Sequence, residues 1–305
     1  MQGRAGDFAI LAAGVAAVST AAVLIREAAA PALVIAAYRL TLASLPLGLV
    51  GVWRRWLRPP RQPQAGASRR EVAGTLVAGA FLAAHFALWI ASVQQTSIIT
   101  SVVLVTAQPL FVALASGPLL RERVLPTTWA GIAAGAAGAL LMVANDLGRG
   151  AGALQGDLFA VLGAGFAAAY IMSGRYIRAG GAGWLPYVTG AYSAAAVLLV
   201  AAALVAGHAF DGYSPRTYLF LVLLALVPQL IGHTAINRSL GFMPAATVAM
   251  AILGEPVGAT LLGLLILGET PGVLQLAGAA LVLAGVWLGV RGSPGGVVPS
   301  AEAAG

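Results

Sequence analysis

The sequence predicts an all-α, polytopic membrane protein of ten transmembrane helices, built as two inverted five-helix repeats with both termini cytoplasmic. Three observations lead there. Hydrophobic residues make up 60% of the chain and charged residues 9%, against about 25% charged in an ordinary soluble domain. The apolar runs are about 20 residues long and show no alternation of period two, so helices rather than a barrel satisfy the backbone in hydrocarbon. Finally, motifs of the first half recur in the second.

Charges, prolines and polar clusters bound the apolar runs and place the helices in order. The first, 7–26, opens at Gly6-Asp7 and ends at Arg26-Glu27; its "AAAP" at 28–31 resembles a signal-peptidase site, but the crowding charges and Pro31 read as a retained helix. The second, 31–53, runs from Pro31 to the Arg54-Arg55 pair. After it comes the one long hydrophilic connection, "RRWLRPPRQPQAGASRR" at 54–70, which reads as a mobile loop. Helices follow near 71–93, 97–118 and 126–144, the last two separated by Arg121, Glu122 and Arg123. The second half repeats the series near 156–175, 184–206, 217–237, 244–266 and 271–290. Organisation is therefore 1–145, 146–291 and a tail, 292–305, whose composition reads as disordered.

All seventeen basic residues are arginine and the net charge is +7. Nucleic acid does not follow as a partner, because these arginines fall in short loops where they orient helices. Thirteen lie in the segments on the side of the termini, three (Arg26, Arg149 and Arg216) on the other side, and Arg39 within a span. Cysteine is absent, which removes disulfides and thiolate metal sites. No metal or cofactor is implied.

The repeat is explicit in "VTAQPLFVALASGPLLRE" (105–122) and "ILGEPVGATLLGLLILGE" (252–269). An offset of 147 pairs Pro109 with Pro256, Gln108 with Glu255, Glu122 with Glu269, Gly131 with Gly278 and Gly138 with Gly285. The openings "GDFAILAAGVAAV" and "GDLFAVLGAGFAA" match as well. Because each copy holds an odd number of spans, the two enter the membrane from opposite sides. Inverted repeats are the architecture of secondary transporters, with solute sites at the midplane and kinked helices lining them. Pro109 and Pro256 fall near the middle of equivalent helices, where each removes a backbone hydrogen bond and bends the rod.

These motifs give the chain a resemblance to a family. "NRSLGFMPAATVAMAILGEPVGATLLGLLILGE" (237–269), with its Glu-Pro and closing Gly-Glu, is similar to the signature of the EamA-type branch of the drug/metabolite transporter superfamily. "ASVQQTSIITSVVLVTAQPLFVALASGPLLRER" carries the pattern in the first half, and "YRLTLASLPLGL" resembles the family's arginine-bearing second helix. The histidine-bearing third helix, "AAHFALWIASVQQT", is most similar to the family's aromatic amino-acid exporters. The resemblance implies an exporter of small amphipathic solutes in a bacterial inner membrane, not an enzyme.

Candidate solute-binding residues follow from polar groups where lipid tolerates none. Glu255 is the twelfth residue of a 23-residue span, roughly 16 Å from either end at ~1.5 Å per residue. A charge there costs roughly 2.5–3.5 kcal/mol on insertion scales. It either lines a cavity or is a protonated carboxyl bonded to a neighbouring helix. His85 and Trp89, one turn apart with Ser92 beyond, form one stripe; the histidine alternatively bonds a backbone carbonyl and the indole anchors at the interface. Gln229, His233 and Asn237 recur every four residues as a polar seam, facing either a solute or other helices. Tyr38 and Arg39 point about 100° apart, so one of them faces the centre. Arg39 takes a solute carboxylate, or snorkels, or pairs with an acid. Tyr170 and Tyr187 are candidate aromatic walls.

Gly131-x-x-x-Gly135 and Gly285-x-x-x-Gly289 permit close helix contact, within one protomer or between two, so monomer and homodimer both stay open. Asp7 and Asp157 suit helix N-termini. The expectation is a ten-helix inner-membrane exporter working by alternating access on a small-molecule substrate, an apolar or aromatic amino acid foremost. Proton antiport, a facilitator, a multidrug exporter and, more remotely, a membrane enzyme are its rivals. Gly-x-Ser-x-Gly and His-Glu-x-x-His are both absent.

Overall fold

Helix breaks, rather than helix lengths, determine the architecture. The computed structural model describes residues 2–57, 67–143, 151–267 and 272–291, all helical or in short connections, with no strand among them. The predicted tail 292–305, the boundary at 145/146, Glu269, Arg58, Arg61 and Arg149 lie outside these residues. The chain runs through α1 (Gln2–Val18), α2 (Ala21–Glu27), α3 (Ala32–Leu57), α4 (Arg69–Gln95), α5 (Ile98–Val105), α6 (Gln108–Ala115) and α7 (Pro126–Val143). It continues through α8 (Ala151–Ala179), α9 (Trp184–Val205), α10 (Pro215–Leu224), α11 (Thr234–Ser239), α12 (Ala245–Ile252), α13 (Glu255–Leu267) and α14 (Val273–Arg291). Eight helical segments among the described residues are long and apolar enough to cross a membrane. Leu49, Val52, Trp53, Val197 and Leu265 are among the large apolar side chains left outward, as a lipid solvent permits.

Several expected rods are interrupted. The first bends between α1 and α2, where Ser19 and Thr20 donate their hydroxyls back to Val15 and Ala17 carbonyls at 2.9 and 2.7 Å, a contact that bends helices. The 97–118 and 244–266 rods break just before their prolines. Pro109 and Pro256 carry no N–H, so the carbonyls of Val105 and Ile252 lose their helical partners. At both breaks the chain tightens to three-residue bonds: Ala107 N–H to Leu104 O and Leu110 N–H to Ala107 O in one, Gly254 N–H to Ala251 O and Val257 N–H to Gly254 O in the other. Those bonds correspond one by one at the offset of 147. The expected continuous helix 217–237 instead winds as a π-helix over Ala225–His233, around Pro228.

Capping fixes the other starts. Ser68 and Glu71 form a reciprocal capping box at α4, 3.2 and 2.7 Å, and Ser214 receives the Thr217 N–H at 3.2 Å to begin α10.

Packing pairs α4 with α8, α3 with α9, α6 with α12, and α1 with residues 225–239. Helix α7 pairs with α14 along its glycines. A Cβ on Gly131 would stand 2.6 Å from the Gly285 carbonyl oxygen, and one on Gly138 the same distance from that of Gly278. Close contact of α7 and α14 thus lies within one chain, made possible by residues that let backbones touch.

Candidate functional site

The two breaks meet α1, α3, α4, α8 and the π-helix around a buried cavity. Its free space, counted as room for water centres, is ≈ 40 Å³, enough for about three waters at ~10–15 Å³ each. Gly232 enables this convergence: a Cβ there would lie 2.6 Å from Val18 Cγ1 and 3.1 Å from the Val18 nitrogen, so α1 rests directly on the π-helix.

Six of the nine expected binding residues line the space: Arg39, His85, Trp89, Tyr170, His233 and Glu255. Helix α3 carries Arg39, which is wholly buried. Its guanidinium carbon sits 4.1 Å above the Phe86 ring and 6.0 Å from that of Trp89, and its Nε donates to Gln229 Oε1 at 2.8 Å. On α4, His85 and Trp89 stack at 5.9 Å with 8° between planes. His85 Nδ1 lies 3.0 Å from the Gly163 carbonyl oxygen; a carbonyl only accepts, so Nδ1 carries a proton. His233 meets the Phe86 ring edgewise at 5.2 Å. His85 is thus tied to a backbone carbonyl and also lines the cavity.

Glu255 is the first residue of α13, its carboxyl almost fully buried and on the cavity. As the N-terminal residue of a helix it meets the positive end of the dipole. No ion pair joins it to Arg39 among the described residues. The lining thus holds a cation on α3 and a carboxyl at the start of α13, together with aromatic and apolar side chains.

The remaining three expected residues stand elsewhere. Tyr38, one position from Arg39, turns to another face of α3 and donates its hydroxyl to the Phe210 carbonyl at 2.5 Å, its ring meeting Phe210 at a tilt and Tyr218 edgewise. Tyr187 is buried against α8, so close that a Cβ on Gly174 would lie 2.9 Å from its hydroxyl. Gln229 sits behind Arg39 rather than on the cavity surface. Pro109 and Pro256 hold the second position of α6 and α13 and are buried there. Ser92, at the end of the α4 stripe, donates to Ser101 at 2.8 Å and is spent on packing α5.

Thr106 and Gln108 line the cavity without having been singled out as binders. The signal for Gln108 was present, since it is the offset partner of Glu255. Tyr192 is buried with no hydrogen bond to its hydroxyl, near Gln229, Thr234 and Asn237; nothing in its local sequence separates it from any other spanning aromatic.

At the end of the bundle away from Tyr38, Glu122 binds three elements together. Its Oε1 accepts from Arg175 Nε at 2.5 Å and its Oε2 from the Ala245 N–H at 3.1 Å, while Arg175 Nη1 donates to the Leu240 carbonyl at 3.0 Å.

Comparison with known proteins follows the same lines. The EamA-like transporter family profile matches twice, over residues 4–144 and 154–291. An uncharacterized transporter of Bacillus subtilis (strain 168), YdfC, is 27% identical over 184 residues, 60% of this chain. That match spans 59% of the relative's own length. A crystal structure of another protein superposes with a TM-score of 0.75 at 19% identity, covering 94% of this chain and 98% of that one. At that identity the likeness is one of fold.

Proposed function

From the premise that the chain belongs to the EamA-like transporter family, and is a multi-pass membrane transporter, we propose that it exports small amphipathic metabolites by alternating access across the inner membrane. Amino acids with apolar or aromatic side chains are the cargo that fits best. The working units are two inverted five-helix halves, 1–145 and 146–291, with both termini cytoplasmic. Counting α7 and α14 as the fifth and tenth spans, exchanging each span with the one five further on maps the five pairings described above onto themselves. That closure supports a two-fold relation between the halves, and the arginine asymmetry supports the orientation.

The observation that carries the reading is the cavity: a guanidinium and a carboxyl, Arg39 and Glu255, carried by two different elements into one buried space walled by Trp89, Tyr170, His85 and His233. A free anion, a free cation or a hydrocarbon would leave at least one of these groups without a counterpart. A zwitterion with an apolar side chain leaves neither. Glu255 meets the amine, or carries a proton in its place. With room for about three waters, the space must widen to admit such a solute, which requires the helix breaks to move.

Counterflow of labelled L-phenylalanine into liposomes holding the purified protein tests this. The Glu255→Gln variant keeps the wild-type melting temperature and loses at least nine-tenths of the flux. Wild-type flux in that variant sinks the role of the carboxyl, and no flux of any labelled amino acid in the wild type sinks the cargo. An imposed pH gradient separates antiport from facilitation: acceleration in one direction favours the former, indifference the latter.

A further inference from the structure

We propose that Arg39 is a preset receptor for a carboxylate, and that Gln229, presented by the π-helix 225–233, is the residue that positions it. This rests on the exporter reading and names the chemical group by which a cargo is recognised.

The argument begins with a donor count. A guanidinium has five N–H groups and no acceptor. In Arg39 the Nε–H goes to Gln229, while Nη1 and Nη2 are buried without any protein partner. Four unmet N–H groups on a buried cation cost several kcal/mol, so such a group persists where something entering the site satisfies it. Glu255, on the same cavity, does not pair with it.

Geometry then narrows what that something is. One face of the guanidinium is covered by Phe86 at 4.1 Å and Trp89 lies at 6.0 Å. The Nε edge is taken by Gln229. The fork of Nη1 and Nη2 remains, and two parallel N–H groups at that spacing match the two oxygens of a carboxylate. An ammonium finds no acceptor on it.

Why glutamine stands behind the arginine follows from charge. A glutamate at 229 would hold the same Nε–H but neutralise the guanidinium. The amide fixes the orientation and leaves the full charge available. Its assignment is unambiguous, because only the amide oxygen can accept from Nε–H. Gln229 reaches this position through the π-helix. Pro228 withholds an N–H, the chain winds with one extra residue per turn, and the side chain is carried into the wholly buried space against α3. Gln229 Nε2 is also buried without a partner.

The test is thermal stabilisation of the purified full-length protein by three probes: 3-phenylpropionate, L-phenylalanine and 2-phenylethylamine. The two carboxylates raise the melting temperature of the wild type, and phenylethylamine does so at least tenfold more weakly by apparent affinity. Arg39→Gln abolishes the shift with 3-phenylpropionate, Arg39→Lys retains part of it, and Gln229→Glu loses as much as Arg39→Gln. Gln229→Met, of like volume, weakens affinity about tenfold. In counterflow it raises KM for phenylalanine by a similar factor with kcat within about twofold. Equal stabilisation by phenylethylamine and phenylpropionate, or a Gln229→Glu variant that binds carboxylates as the wild type does, overturns the proposal. Carboxylate binding without flux of any amino acid would instead sink the exporter reading and leave the receptor standing.

Discussion

Glu122 is the contact expected to close its end of the bundle, so removing the carboxylate should open that end. The side chain holds Arg175 and caps the first N–H of α12, and Arg175 in turn holds the Leu240 carbonyl. Arg175 and Glu122 side chains are 6% and 19% exposed, so the pair is shielded and its loss leaves a cation with a stranded Nε. Losing a charge-assisted hydrogen bond costs about 1.5–3 kcal/mol and losing a helix cap about 1 kcal/mol. Because Glu122 is partly wetted, the lower part of that range applies, and Glu122→Ala should weaken the closure by about 3 kcal/mol. At 1.4 kcal/mol per tenfold, the open population rises roughly 100-fold. The cysteine-free chain makes this measurable, since Ala167→Cys places a single thiol on the cavity wall. Membrane-impermeant thiol reagents added from the side bearing Glu122 should label it 10- to 100-fold faster in the Glu122→Ala background. Combining Glu122→Ala with Arg175→Ala should add little to either alone. Equal labelling rates with and without Glu122, or fully additive single effects, would refute the idea that this contact closes the path.

Three further substitutions test the packing. Gly138→Val drives side-chain atoms against the Gly278 carbonyl and the Val282 nitrogen, 2.6 and 2.8 Å from the Cβ position. Backbone cannot give way there, so the melting temperature should fall by at least 5 °C, at a cost of about 1–3 kcal/mol. Gly48→Ala, with nothing within 4 Å of the new Cβ, should hold or raise the melting temperature, because alanine in a helix interior is favoured by roughly 0.5–1 kcal/mol. Tyr38→Phe removes the 2.5 Å bond to the Phe210 carbonyl, worth about 1 kcal/mol. Amide hydrogen exchange across 206–214 should accelerate about fivefold while L-phenylalanine affinity is unchanged; a loss of affinity would return Tyr38 to the binding site.

Most of the helical content was legible because hydrocarbon leaves the backbone one economical solution, so run length and bounding charge suffice to mark spans. The breaks at 106–107 and 253–254 were half legible. Prolines announce where a rod fails, yet Pro228 produced a π-helix and Pro46 remains inside α3, a choice made by neighbouring helices and not by proline itself. For the site, polarity in an apolar run flagged Arg39, His85, His233 and Glu255. It flagged Tyr38, Tyr187 and Gln229 equally, because periodicity assigns a face to a side chain without saying what that face meets.

By itself, then, the sequence determined that the chain is helical and membrane-embedded, that its proline and glutamate motif recurs 147 residues further on, and that Glu255 stands at a proline break. The helices and the proline break are local, each following from residues within a few turns of one another, and the repeat needs only a comparison of the two halves. The tertiary structure decided that α7 clasps α14 within one chain, that Tyr38 belongs to an outer contact, and that Gln229 supports Arg39 from 190 residues away. Such pairings depend on how closely two helices approach and how they rotate against each other. Gly131, Gly138 and Gly232 permit that approach, but only the packed bundle fixes what they face.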